Sequence, residues 1–277
     1  MRYAIDVAPL GPLAEPRAIV RLATAAEATG WDGLSMWDSL GTSMRAEAAD
    51  PFVALAAVAS ATARLRLIAS VIAAPRRRPQ LVAQAAATLD RWSDGRLTLG
   101  LGSGGDPGDF EPFGEPFDAP ARAAALDEAA GIIDRLLRGE TVDASGAHYT
   151  LRDAAVGPRP AQAPRPPIWI GGMRPRALRR AARWDGWIAI SVDETGARTL
   201  EPARFAEQVR RIGDLREADG HGGTPFDVAV FGMSEPGQTT DDWSAAGATW
   251  WLESLSPLRG SLDQLLARIG AGPPRSP

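Results

Sequence analysis

The stretch Pro167–Ile190, PIWIGGMRPRALRRAARWDGWIAI, has a spacing suited to holding an anion. A short apolar run, Ile168–Ile170, meets Gly171 and Gly172. Met173, Arg174 and Arg176 follow, at the start of a helix predicted over Pro175–Arg183. Glycines let the backbone come close to a ligand. A helix start offers free N–H groups and a partial positive charge to a phosphate or carboxylate. That dipole contributes only ~0.3–2 kcal/mol, so the arginines must add to it. A second glycine-rich exit, Gly102-Ser103-Gly104-Gly105, follows the apolar run Leu97–Leu101. Two such exits side by side suit an extended, phosphorylated, nucleotide-like ligand. For proton transfer the sequence offers Asp38, in Trp37-Asp38-Ser39, and Glu253, in Trp250-Trp251-Leu252-Glu253. A carboxyl serves as acid or base when burial raises its pKa. Ser39 can hydrogen-bond but cannot act as a base near neutrality. The two histidines, His148 and His221, fall in a hairpin and in a glycine-rich loop, and both read as structural. The chain has no cysteine, and all 30 of its basic residues are arginine. That excludes a cysteine nucleophile, a Schiff-base lysine and a thiolate metal site. With no paired histidines or clustered carboxylate motif, no metal is expected.

The elements that must position these residues alternate from end to end. Strands are predicted at Tyr3–Val7, Gly33–Met36, Leu65–Ile72, Leu97–Leu101, Ile168–Ile170, Trp187–Ile190, Asp227–Phe231 and Thr249–Leu252. Helices are predicted at Pro16–Thr29, Pro51–Ala61, Pro79–Arg91, Pro120–Arg138, Pro175–Arg183, Pro202–Ala218, Thr240–Ala246 and Ser261–Ile269. Many begin with proline at the first helical position. Eight strand–helix pairs are the count of an α/β (β/α)8 TIM barrel. The first strand runs into Val7-Ala8-Pro9-Leu10-Gly11, which lacks the fingerprint of a dinucleotide-binding doubly wound sheet. Insertions are expected after strands two and four, at the C-terminal mouth where barrel active sites lie, and before strand five. The last of these holds a small hairpin turning at Ser145-Gly146. Residues 1–277 read as one domain, with 270–277 a loose tail. The repeated Trp-Asp-Gly at 31–33 and 184–186 marks tight returns from helix to strand.

These segments together resemble the luciferase-like flavin-dependent oxidoreductases. That family of (β/α)8 barrels includes bacterial luciferase, alkanesulfonate monooxygenase and deazaflavin (coenzyme F420) dependent reductases and dehydrogenases. The resemblance is carried by AAEATGWDGLSMWD, by ARLRLIASVIAAPRRRPQLVAQAAATLDRWSDGRLTLGLGSG, by FEPFGEP and GAHYTL, and by RPPIWIGG with LRRAARWDGW, between about Ala25 and Trp187. It implies FMN or coenzyme F420 across the barrel mouth, with the phosphate near Ser103, Gly104 and Gly105 and near Gly172, Met173 and Arg176. It implies a non-proline cis peptide backing the ring at Ser70-Val71. Arg76-Arg77-Arg78 could hold the acidic tail of the deazaflavin coenzyme. Many relatives carry histidine where this chain has Ser39, which leaves the usual proton-transfer role open.

A net charge of −4 argues against a general nucleic-acid or anionic-membrane binder. No apolar run approaches the ~20 residues that span a bilayer, and the start of the chain enters a strand directly, so a cytoplasmic protein is expected. Helix 51–61 is apolar nearly all round and 79–91 is rich in alanine, which predicts a homodimer through these two helices. The expected activity is hydride transfer to, or monooxygenation of, a small organic substrate. Two alternatives remain: a non-catalytic cofactor-binding or partner subunit on the same barrel, and a phosphosugar-type barrel enzyme without flavin.

Overall fold

Side chains that alternate between a lumen and a helical shell organise the chain. The computed structural model describes residues 1–191 and 199–275. Among them the elements run β1 (Arg2–Val7), α1 (Pro16–Ala28), β2 (Gly33–Met36), α2 (Pro51–Ala61), β3 (Arg66–Ala73), α3 (Pro79–Trp92), β4 (Leu97–Gly102) and α4 (Ala119–Leu137). They continue with β5 (Val142–Ser145), β6 (Thr150–Ala154), β7 (Ile168–Gly171), α5 (Pro175–Ala181), β8 (Gly186–Ala189), α6 (Pro202–Ala218), β9 (Asp227–Gly232), α7 (Asp241–Ala245), β10 (Trp250–Leu255) and α8 (Leu262–Gly270). Eight strands close into a parallel barrel in the order β1-β10-β9-β8-β7-β4-β3-β2. The antiparallel hairpin β5–β6 stands outside it, so β7 is the fifth barrel strand. This is the (β/α)8 barrel expected from the alternation.

Local chemistry starts the helices where the prolines predict. Asp50 caps α2 by accepting from the N–H groups of Phe52 and Val53, and Asp118 caps α4 through Ala121. Ser261 and Gln264 form a reciprocal capping box on α8. The two Trp-Asp-Gly turns do one job twice. Asp32 accepts the N–H of Tyr3 on its side chain and that of Arg66 on its carbonyl. Asp185 does the same for Ile168 and Asp227. Each aspartate thus stitches three consecutive barrel strands at their N-terminal ends.

Leu34 and Met36, Leu67 and Ala69, and Leu97, Leu99 and Leu101 pack outward against the helices in the larger core. Ala4, Ile68, Trp169, Ile188, Ala229, Trp250 and Leu252 form a separate inner cluster that fills the lumen. Trp169 and Trp250 meet edge to face, 5.9 Å between centroids, and Gly186 leaves the room Trp169 occupies. At the C-terminal mouth the segment after β2 and the segment after β4 clasp one another. Leu40 N–H and Ser39 Oγ donate to Asp109, and Ser43 donates to Asp106. The chain after α8 is not loose as far as Arg275: Pro274 accepts from Thr240, and Arg275 pairs with Asp32. Residues 276–277 lie outside the described residues.

Candidate active site at the barrel mouth

β3, β4 and β7 build the floor of the mouth. β3 changes register against β4 between Ala69 and Ile72, and the Ser70-Val71 peptide within that irregularity is cis. Val71 turns into the barrel and packs on the inner cluster, half-buried. Any side chain at 102 or 171 would collide with it. A Cβ on Gly102 would lie 2.6 Å from Val71 Cγ2, and one on Gly171 2.8 Å from its Cγ1. These two glycines therefore make room for Val71, whereas the sequence suggested that they make room for a ligand. The result is an apolar surface bordered by two glycine-rich exits.

At the first exit, Ser103 and Gly104 are half-buried and Gly105 is exposed, with open space where its Cβ would stand. Gly104, at φ +78°, rests against the Phe110 ring. Its carbonyl accepts from Arg122 of α4 at 3.0 Å, and that guanidinium lies 3.4 Å from the centroid of Phe117. Burial pulls the Arg122 pKa down, partly countered by Asp118. At the second exit Gly172, at φ +130°, needs glycine because a Cβ would lie 2.9 Å from Ala177. Met173 is half-buried, and Arg174 and Arg176 are exposed and form no ion pair among the described residues. Two cavities of about 440 and 420 Å³ lie over α5, and Arg176 and Arg179 border both. α5 itself is only seven residues long, so the arginines rather than a long helix dipole give this edge its positive charge.

The structure places the proposed acid–base residues differently from the sequence expectation. Asp38 is not a free carboxyl. It accepts from Arg77 through two nitrogens, at 3.0 and 2.8 Å, and from the Ala73 N–H, and it pairs with Arg76 at 2.7 Å. Burial alone would lower the Arg77 pKa, but Asp38 and Asp50 outweigh it and hold the guanidinium firmly protonated. Arg76 is also 3.6 Å from Asp109. Arg77 is thus engaged within the fold; Arg76 is buried and ion-paired, its guanidinium nitrogens making no hydrogen bond among the described residues, and Arg78 is exposed. Ser39 bonds Asp109 and the Gly41 N–H. Glu253 does not face the mouth. It lies on the outer face of β10, fully buried, and accepts from Trp251 Nε1, the Ser234 N–H and hydroxyl, and Arg259, with Arg268 at 3.4 Å. His148 belongs to the hairpin side of the molecule, where its N–H donates to Glu128. Among the described residues no group of three or more His, Asp or Glu could hold a metal ion, and no helix is long and apolar enough to cross a membrane.

One acidic residue inside the barrel escaped the sequence reading. Asp6 of β1 shares the lumen face with Ala4 and is 4% exposed. Burial pushes its carboxyl up to about 7, moderated by the Ser35 hydroxyl beside it. Asp6 Oδ1, Ser35 Oγ and Ser70 Oγ are all buried without a hydrogen-bond partner of good geometry among the described residues. A set of buried polar groups thus lies on β1, β2 and β3. Its only signal in the sequence is one aspartate in the apolar strand Tyr3–Val7.

The chain thus forms a closed parallel barrel with an apolar platform, flanking glycine exits and an arginine-rich edge at its C-terminal mouth. Residues 3–265 match the luciferase-like monooxygenase family, and the chain belongs to that family. The uncharacterized protein Rv0940c of Mycobacterium tuberculosis is 31% identical over 232 residues, 77% of this chain and 76% of that one. The F420-dependent glucose-6-phosphate dehydrogenase of Beutenbergia cavernae is 38% identical over 212 residues, covering 72% of this chain and 62% of that one. The crystal structure of the monooxygenase RslO1 from Streptomyces bottropensis superposes with a TM-score of 0.81 over 98% of both chains, at 20% identity.

Proposed function

We propose that the protein is an oxidoreductase that binds coenzyme F420 or FMN across the barrel mouth and acts on a small organic substrate by hydride transfer or oxygenation. The observation that carries this is the joint of β3, β4 and β7. There Val71 spreads over Gly102 and Gly171 as an apolar surface, and a glycine-rich exit opens on either side. A flat ring fits such a surface. Ser70 and Val71 would back the ring. Ser103, Gly104 and Gly105, with Gly172, Met173, Arg174 and Arg176, would hold the anionic side. When bound, the coenzyme supplies the redox chemistry, and the protein positions and desolvates. Arg174, Arg176 and Arg179 extend the positive edge over α5 beyond the needs of one phosphate. That favours the deazaflavin, with its acidic tail, as does the F420-dependent relative.

The substrate side is apolar. Leu40, Met44, Phe113, Met233 and Leu258 are all exposed and all follow barrel strands at the mouth. Exposed apolar rims of this kind mark binding surfaces. A homodimer belongs to the same proposal. Val53, Leu81 and Trp92 stand 71%, 59% and 66% exposed on α2 and α3, the two helices whose composition suggested it.

Titration with F420 and separately with FMN, followed by fluorescence, tests the proposal. Quenching by one coenzyme, with turnover of its reduced or oxidised form on a substrate panel, is the expected outcome. Because Asp38 and Ser39 are engaged within the fold, binding without any turnover would identify a non-catalytic partner subunit instead. Binding of neither coenzyme, with thermal protection by phosphosugars, would replace the proposal with a flavin-free barrel enzyme.

A further inference from the structure

Acidic residues in the C-terminal half of the barrel differ in what stands beside them. Asp38, Asp50 and Glu253 each meet at least one arginine. Asp6 meets none among the described residues. It stands in the lumen beside Ser35, its register partner on β2, and a second buried hydroxyl, Ser70, comes from β3 next to Val71. The charged groups of the surrounding strands are turned away or spent. Asp38, just past β2, is held by Arg76 and Arg77, and Glu253 of β10 faces the helices. Arg2 of β1, Arg66 of β3 and Asp227 of β9 sit at the opposite end of the barrel, Arg2 paired with Asp227. A carboxyl buried without a cation stays neutral until well above its ordinary range. A neutral carboxyl can give a proton, which a salt-bridged one cannot readily do.

We propose that Asp6 is the catalytic proton donor of this site, giving its carboxyl proton to the redox ring as the ring is reduced. The assignment rests on the function proposed above. When bound, the coenzyme would accept a hydride (two electrons with one proton) from a substrate that is oxidised and releases its own proton to solvent, and Asp6 would supply the further proton that this reduction calls for. The O–H bond of Asp6 breaks, an N–H bond forms on the ring, and Asp6 is left as carboxylate. Oxidation of the ring runs the same steps backwards. Ser35 is a positioning residue that sets how readily Asp6 gives the proton up.

Two measurements test this. In the protein without coenzyme, infrared spectra should show a protonated carboxyl that titrates near neutrality and is missing from Asp6→Asn. Its absence from the wild type, or its persistence in the variant, overturns the assignment. In the protein loaded with coenzyme and reduced by dithionite in weak buffer, protons taken up per two electrons should rise between about pH 6 and about pH 8, because the oxidised complex has by then lost the Asp6 proton. In Asp6→Asn the number should not rise. Ser35→Ala leaves the carboxyl in place and should move the rise to higher pH. An unchanged rise in Asp6→Asn, or an unmoved midpoint in Ser35→Ala, overturns the assignment while the coenzyme reading stands. Wild-type protein that binds neither F420 nor FMN overturns both.

Discussion

Glu253 and Asp6 lie on neighbouring strands, β10 and β1, and face opposite ways. Truncating Glu253 to alanine would leave Arg259 and Arg268 without their carboxylate in a buried setting. Removing one partner of a buried pair costs about 3–5 kcal/mol, so Glu253→Ala should lose that much in urea unfolding and keep its coenzyme affinity once folded. A variant of full stability that has lost turnover would instead put Glu253 in the chemistry. Asp6 works in the opposite sense. Its pKa is about 7 folded against an ordinary 3.8. Between those values the folded chain keeps a proton that the unfolded chain has released, so stability falls as pH rises and the loss is complete above about 7. Three units amount to roughly 4 kcal/mol at most. The wild-type urea midpoint should therefore decline from about pH 5 to about pH 8 relative to that of Asp6→Asn. Parallel curves for the two proteins would mean that Asp6 ionises freely. The sequence singled out Asp38 and Glu253 because each stands near the end of a strand. What it could not show is that each had arginines waiting for it.

At the scale of elements, the β3–β4–β7 joint links packing to binding. Gly102→Ala places a methyl 2.6 Å from Val71. Overpacking of this kind costs about 1–3 kcal/mol, and Val71 must shift off the surface proposed for the ring. Both thermal stability and coenzyme affinity should fall, the affinity about tenfold for each ~1.4 kcal/mol that falls on the bound state. Gly105→Ala is the contrast. Its Cβ meets nothing within 4 Å, so stability should hold while affinity for the coenzyme drops. If both variants bind as the wild type does, the coenzyme lies elsewhere. The strands and helices themselves were legible because their signals are local: Asp50 with its two N–H groups, the Ser261–Gln264 box, the twin Trp-Asp-Gly returns. The clasp of Leu40 and Ser43 on Asp109 and Asp106 was not, because it joins loops more than sixty residues apart.

For the whole molecule, the exposed apolar face of α2 and α3 predicts the assembly. Light scattering should give about twice the 29.3 kDa chain mass at micromolar concentration, and Val53→Asp with Leu81→Asp should return it to the single-chain value. A wild type that is already monomeric removes the dimer from the proposal. The amino-acid sequence alone determined the count, order and approximate limits of the barrel elements, and the two glycine-rich exits, because periodicity, caps and turn residues act over a few positions. Tertiary structure decided which side chains are free to react. Barrel strands are buried on both faces, so a strand such as Tyr3–Val7 or Trp250–Leu255 does not announce which residues look into the lumen. Closure of the ring set that phase. It turned Asp6 inward, with no ion-pair partner among the described residues, and Glu253 outward into Arg259 and Arg268, and a carboxyl's charge follows from what stands beside it in space.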